Sequence, residues 1–282
     1  MTQGGRIPEG MWPTEDTVGD PVGGGVVGET PRRVCSRPGG SVFAAGALGV
    51  AEAVTAPAAG LCDSAGYVTR RKADYRSLGA LQRDNAACRA CSEAGYPLAS
   101  LPVFQGRAGQ RAMIVGQSPG AVEGEERRPW RGRAGRTLRR WLGLDEEEFY
   151  ALFYCASVTR CFPGKHPSGR GDRVPAPREV ELCRFWLDWE LRLLRPALVV
   201  PVGGLATRRL LGLERLGEAV GRRYALGEAV AIPLPHPSGA SGWPNVDENR
   251  ARLERALTLL GAELETVRRD LQACANADTA LS

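Results

Sequence analysis

Cys88 and Cys91 form a C-x-x-C pair whose thiolates are near enough to share one metal centre, and Cys161 and Cys183 follow, each beside an arginine. Four sulfur donors complete a closed site, which zinc or an iron-sulfur cluster would fill. The competing assignment for Cys183 is plain core, because it falls on the apolar stripe Val180, Cys183, Leu187, Leu191 and Leu194 of a helix. Cys155 lies within a strand run and reads as buried and inert, and Cys35, Cys62 and Cys274 receive no role. Eight cysteines in 282 residues are too few for a disulfide scaffold.

A second constellation is Gly116-Gln-Ser-Pro-Gly120, directly after an apolar strand run. Glycines there let backbone amides approach a ligand at the end of a strand. The stretch from Arg107 to Arg140 carries nine arginines with Trp130 among them. That mixture can follow a phosphate backbone and stack on an unpaired base, although a run of charge is usually a solvated face. A third element is Pro235-His236-Pro237-Ser238, in which prolines fix the imidazole at a strand end, where it could stabilise developing negative charge. His166, the other of the two histidines, reads as exposed.

Positioning these groups requires a sheet. Arg111–Gly116, Glu148–Val158, Ala197–Val202 and Val230–Leu234 are apolar runs suited to buried parallel strands, with Glu146 to Glu148 able to extend a helix into the second of them. Helical periodicity covers Ala134–Leu144, Pro177–Leu194, Gly204–Leu211 and Val246–Ala275. Alternating strands and helices imply a parallel sheet covered on both faces, with ligands at the carboxyl ends of its strands.

With 43% apolar and 24% charged residues and no apolar run of membrane-spanning length, the composition excludes a wholly disordered, fibrous or membrane-embedded chain and implies a soluble one. Residues 1–60 hold 13 Gly and 6 Pro, so residues 1–74 read as a disordered extension, 75–276 as the domain and 277–282 as a tail. Arg32-Arg33 before an Ala/Gly-rich stretch only faintly resembles an export signal, and a cytoplasmic monomer is expected. Arginine supplies 35 of the 37 basic residues, a bias that either a polyanion partner or a GC-rich genome would give. Only Lys72 and Lys165 are available for Schiff-base chemistry.

Taken in order, these motifs resemble the uracil-DNA glycosylase superfamily, most closely the family 4 branch that carries a [4Fe-4S] cluster. The resemblance covers about Leu81 to Leu260. It rests on Cys88/Cys91, the Gly116–Gly120 turn with Glu123, Arg128-Pro-Trp130-Arg-Gly-Arg-Ala-Gly135, Cys161, Cys183-Arg-Phe-Trp-Leu187 and His236-Pro237. It implies a three-layer α/β/α sandwich on a four-stranded parallel sheet, and a [4Fe-4S] cluster, with zinc the lesser alternative, on Cys88, Cys91, Cys161 and Cys183.

By the same resemblance Trp130 stacks on an extruded base, His236 contacts uracil O2, and the loop from Pro237 to Trp243 enters the minor groove of DNA. Glu123 would position water or steady the sugar cation, with Gln117 and Ser157 as secondary polar contacts. Gly116, Ser118, Pro119, Gly120 and Ser238 would line the substrate. Two departures matter: Gln117 replaces the family's Glu, and Ser157 replaces the Asn that reads the uracil amide edge. A hydroxyl cannot reproduce the paired readout of a carboxamide. The expected activity is monofunctional hydrolysis of a deaminated base, chiefly uracil, from DNA in base excision repair. Hypoxanthine or xanthine as the base, a non-catalytic iron-sulfur DNA-binding protein and a small-molecule enzyme are the alternatives.

Overall fold

Five strands of Val, Ile, Leu, Ala and aromatic residues line up side by side at the centre of the chain. The structure is a computed structural model that describes residues 71–169, 171–238 and 242–280. The expectations placed on 1–70, Cys35, Cys62 and the Arg32-Arg33 pair among them, lie outside the described residues. In chain order the elements are α1 (Leu78–Ala86), α2 (Ala90–Glu93), β1 (Ala112–Gly116), α3 (Ala121–Glu126), α4 (Arg133–Leu142), α5 (Glu146–Leu152), β2 (Phe153–Ser157) and α6 (Pro177–Leu194). Then follow β3 (Leu198–Pro201), α7 (Gly204–Leu211), α8 (Leu216–Ala219), β4 (Tyr224–Leu226), β5 (Ala229–Ala231), a 3-10 turn (Trp243–Asn245) and α9 (Asp247–Ala280).

The sheet order is β2-β1-β3-β5-β4. β2, β1, β3 and β5 run parallel, as the apolar runs require, while β4 pairs antiparallel with β5 through a tight turn at Gly227. The expected count of four strands is therefore corrected to five. The added edge strand is only three residues long and half-exposed, too short for its pattern to stand out. A second correction concerns Glu148–Val158. Its first half is helical because Asp145 caps Glu148 N–H at 2.8 Å while Glu148 Oε2 accepts the Asp145 N–H at 3.0 Å. Phe153 then turns extended and opens β2.

Side chains alternate across the sheet. Ile114, Phe153, Cys155, Leu198 and Val200 meet Leu138 of α4, Phe149 of α5 and Leu253, Ala256 and Leu260 of α9. Met113, Val115, Tyr154, Ala156 and Val199 meet Leu81 of α1, Trp186 and Leu187 of α6 and Ala206 of α7. Helices therefore cover both faces, and a strand buried on both sides can be apolar throughout. β1 connects to β2 on one side, whereas β3 pairs on its other side, so the chain changes direction beside β1. Ligand crevices form at that place in open α/β sheets, beyond the strand ends. Among the described residues, no helix is long and apolar enough to cross a membrane.

Candidate active site and thiol cluster

Gly116 ends β1, and its missing side chain leaves room for an indole: a methyl group at its Cα would lie 3.1 Å from Trp130 Cζ2. Trp130 is 8% exposed and adopts a left-handed backbone with φ of 60°, a strained state for so bulky a residue. Three groups enforce it. Arg139 Nη1 donates to Trp130 O at 2.8 Å, the Tyr150 hydroxyl donates to Pro129 O, and Gly135 packs its bare Cα on the Trp130 carbonyl. A Cβ at Gly135 would fall 1.7 Å from that oxygen. Gly135→Ala is therefore expected to displace the indole and cost about 1–3 kcal/mol of stability by overpacking, which thermal unfolding would measure.

His236 faces this indole, with ring centroids 6.4 Å apart and planes inclined at 35°. Gly203, at φ of +88°, closes the β3 end beneath it, and a methyl group at its Cα would lie 3.5 Å from His236 Cβ. Ser238 N–H donates to His236 Nδ1 at 3.2 Å, so in the neutral ring the hydrogen sits on Nε2. Burial lowers the imidazole pKa below its ordinary 6.5, outweighing the carboxylates of Glu123 and Asp172, which raise it. A neutral ring offering one N–H donor results at neutral pH. Gly239 to Ser241 lie outside the described residues, and Trp243 packs back on the apolar core through its 3-10 turn.

The glycine turn differs from its expected use. Pro119 has no N–H, and Gly120 N–H donates to Glu123 Oε2 at 3.2 Å, so only the amides of Gln117 and Ser118 remain for a ligand. Glu123 Oε1 accepts Gly132 N–H at 2.7 Å. Both oxygens of Glu123 thus accept a backbone N–H, joining the glycine turn to the Trp130 loop. Ser157, at the end of β2, is buried and donates its hydroxyl to Thr159 O at 2.7 Å, which leaves only its lone pairs. Thr159 Oγ1 is buried beside it with no partner.

Several of the nine arginines are occupied. Arg128 and Arg139 reach Glu146 at 3.1 and 3.3 Å, and Arg131 pairs with both Glu126 and Glu146. That network braces the Trp130 loop. Arg133, Arg136 and Arg140 stay exposed on α4.

The cysteines named from the spacing come together from four places: the turn before α2, α2 itself, the loop after β2, and α6. Cys91 shares a hydrogen bond with Cys183, and the charges of Cys161 and Cys88 reach it as well. The bond from Cys91, with Arg160 nearby, lowers Cys183 to about 7 against the effect of burial. Burial raises the Cys88 thiol, while the indole of Trp186 favours its thiolate. Cys88 and Cys161 also line a cavity of about 380 Å³ with Arg89, Ser92 and Ser100. Among the described residues, no three His, Cys, Asp or Glu side chains surround a point as one metal ion requires. Cys155, by contrast, is fully buried in β2 away from this group.

A doubly covered sheet with its crevice at the chain's reversal, an aromatic held over a glycine and a buried imidazole define a particular class. A family model described as Uracil DNA glycosylase superfamily matches residues 103–260, and the chain belongs to that superfamily as a glycosylase-type hydrolase. It is 31% identical to the type-4 uracil-DNA glycosylase of Archaeoglobus fulgidus over 184 residues, 61% of this chain and 87% of that protein. To the type-4 uracil-DNA glycosylase of Sulfurisphaera tokodaii it is 25% identical over 185 residues, 60% of this chain and 78% of the other. Within the superfamily it falls in family 4.

Proposed function

We propose that the chain is a monofunctional DNA glycosylase that hydrolyses the N-glycosidic bond of a deaminated base, chiefly uracil, as a step of base excision repair. The observation that carries this reading is the convergence of Trp130, Gly116 and His236 at the ends of β1, β3 and β5. An indole held out of its relaxed backbone conformation offers a stacking platform for a base rotated out of the duplex. The His236 Nε2–H and the Gln117 and Ser118 amides are the donors available to a departing base that carries negative charge. Arg133, Arg136 and Arg140 supply the exposed positive face for phosphates. Lys165 and Lys72 are both solvent-exposed and ion-paired, with Asp172 and Asp84, whereas a Schiff-base lysine is desolvated, so the mechanism stops at base release.

Incubating the protein with a uracil-containing oligonucleotide, followed by alkali, tests the assignment. A strand break that appears only after alkali is expected for U opposite G and for single strands. No alkali-labile product from either would refute it. Ser157 with its donor spent favours testing hypoxanthine and xanthine in the same series. Release of those bases in preference to uracil would move the substrate without moving the site.

The same reading gives Cys88, Cys91, Cys161 and Cys183 a [4Fe-4S] cluster. Four thiolates close together repel one another, and a cationic core relieves that repulsion. Zinc is the lesser alternative: with four sulfurs at about 2.3 Å it needs them roughly 3.8 Å apart round one ion, and among the described residues no three ligand side chains gather round a point in that way. Donors support an anionic cluster: the Arg160 backbone N–H reaches Cys183 Sγ at 3.4 Å, and the buried Trp186 indole favours the Cys88 thiolate. The cluster would supply a structural tie between the α1–α2 region and the loops after β2. The purified protein is expected to be brown, absorbing broadly at roughly 400 nm, with about four irons per chain. Cys183→Ser should lose the colour, and a colourless protein with stoichiometric zinc would overturn the cluster.

A further inference from the structure

Glu123, with both oxygens bound to backbone, leaves the site without a free carboxylate on the glycine turn, and Gln117 is neutral. A carboxylate does reach this point from elsewhere. The segment between Cys161 and α6 folds into a hairpin: Lys165 bridges to Asp172, His166 N–H donates to Gly171 O at 3.1 Å, and Arg173 N–H donates to Gly164 O at 2.9 Å. Its far strand brings Asp172 onto the turn. A methyl group at Gly120 would sit 3.3 Å from Asp172 Oδ2 and 2.8 Å from Glu123 Oε2, so the two carboxylates flank the same glycine.

They are not equivalent. Asp172 Oδ1 accepts from Lys165 Nζ at 2.8 Å, but Oδ2 has no hydrogen-bond donor among the described residues. The Asp172 side chain is 36% exposed and open to water, and its charge is felt by His236 across the crevice, as that of Glu123 is more strongly. Lys165 thus orients the aspartate from one side and leaves the other oxygen facing the site. Sequence spacing gave no hint of this, because Asp172 lies 52 residues from Gly120 and in no recognisable motif.

We propose that Asp172 is the carboxylate that orients the attacking water and faces the positively charged sugar, an assignment that rests on the glycosylase reading above. As the C1′–N bond breaks, its electron pair leaves with the base, toward the His236 Nε2–H. A water oxygen forms the new bond to C1′. One of that water's protons passes to Asp172 Oδ2, from which bulk solvent or the departing base anion takes it. Glu123 is a positioning residue in this scheme, holding the turn against the Trp130 loop.

The test compares unmodified protein with Asp172→Asn and Asp172→Ala in single-turnover release of uracil, alongside affinity for a duplex carrying uncleavable 2′-fluoro-deoxyuridine. Asp172→Asn is expected to slow release by about 100-fold or more while affinity changes less than about threefold. Added formate should restore part of the rate to Asp172→Ala and none to Asp172→Asn, a response that a structural role would not give. A rate within about threefold of the unmodified protein overturns the proposal, as does a loss of affinity that accounts for the whole loss of rate. If the unmodified protein releases no base, the glycosylase reading falls and this assignment with it. If the unmodified protein releases uracil and both variants match its rate, the glycosylase reading stands and Asp172 alone is wrong.

Discussion

Arg160→Ala is expected to destabilise the fold by about 3–5 kcal/mol, the largest effect of any single substitution considered. Arg160 is 1% exposed and pairs with Glu190, which is 0% exposed. Tyr154 donates its hydroxyl to Glu190 Oε1 at 2.8 Å, and Arg160 Nη1 donates to Ser157 O. Burial raises the Glu190 pKa, with Arg160 and Tyr154 holding it down. Removing the guanidinium leaves a carboxylate with one hydroxyl for company inside the core, which then ionises at great cost or takes up a proton. Glu190→Ala should cost a comparable amount for the opposite reason. Replacing both by apolar residues should recover much of the loss, because the pair itself adds little once desolvation is counted. Denaturant unfolding of both single variants and the double one checks this, and single losses below about 1 kcal/mol would contradict it. The consequence extends beyond stability, since the Arg160 guanidinium grips the end of β2 through Ser157 O and its charge reaches the Cys183 thiol.

His236→Ala is expected to lower the single-turnover rate of base release by about 10²–10³-fold, equivalent to about 2.7–4 kcal/mol of lost anion stabilisation. The ring is buried, oriented by Ser238 N–H and kept neutral, so its donor is fixed before the base departs. An unchanged rate in this variant would remove the proposed role. Acid supplies a second check. Because burial lowers the folded pKa of His236 below 6.5, the stability tied to the neutral ring is fully present above about 6.5 and is lost as pH falls below it. Thermal unfolding of the wild type should therefore drop more steeply between neutral pH and about pH 5 than that of His236→Asn. Parallel curves would mean that the ring is protonated as readily in the folded chain as in the unfolded one.

Much of the scaffold could be read from neighbours along the chain. β1, β3 and β5 are short apolar runs, and α4 ends where Gly143 takes a left-handed backbone at φ of 64°. α6 opens on Pro177 with Glu179 reaching back to Ala176 N–H at 2.7 Å, so its start was legible. α5 was half hidden: its capping pair Asp145 and Glu148 was visible, but the apolar run behind it suited a strand equally well. The short α3 was missed: Gly120 has no capping side chain, and only Glu123, reaching back to the Gly120 N–H, marks the helix start.

Residue types and spacing along the chain were enough to establish the sheet and its coverage by helices, which rest on periodicity and on local backbone chemistry that neighbouring residues carry between them. The four sulfurs as one set, and the grouping of an indole, a glycine turn and an imidazole, followed from the motifs' resemblance to a known family. What each polar side chain does was settled only by folding. Glu123 is consumed by two amides, Glu146 gathers three of the arginines, Ser157 spends its hydroxyl on Thr159, and Asp172 arrives at Gly120 from a distant hairpin. A buried donor or acceptor takes whichever partner the packed chain brings within about 3 Å, and that partner is commonly far away in sequence.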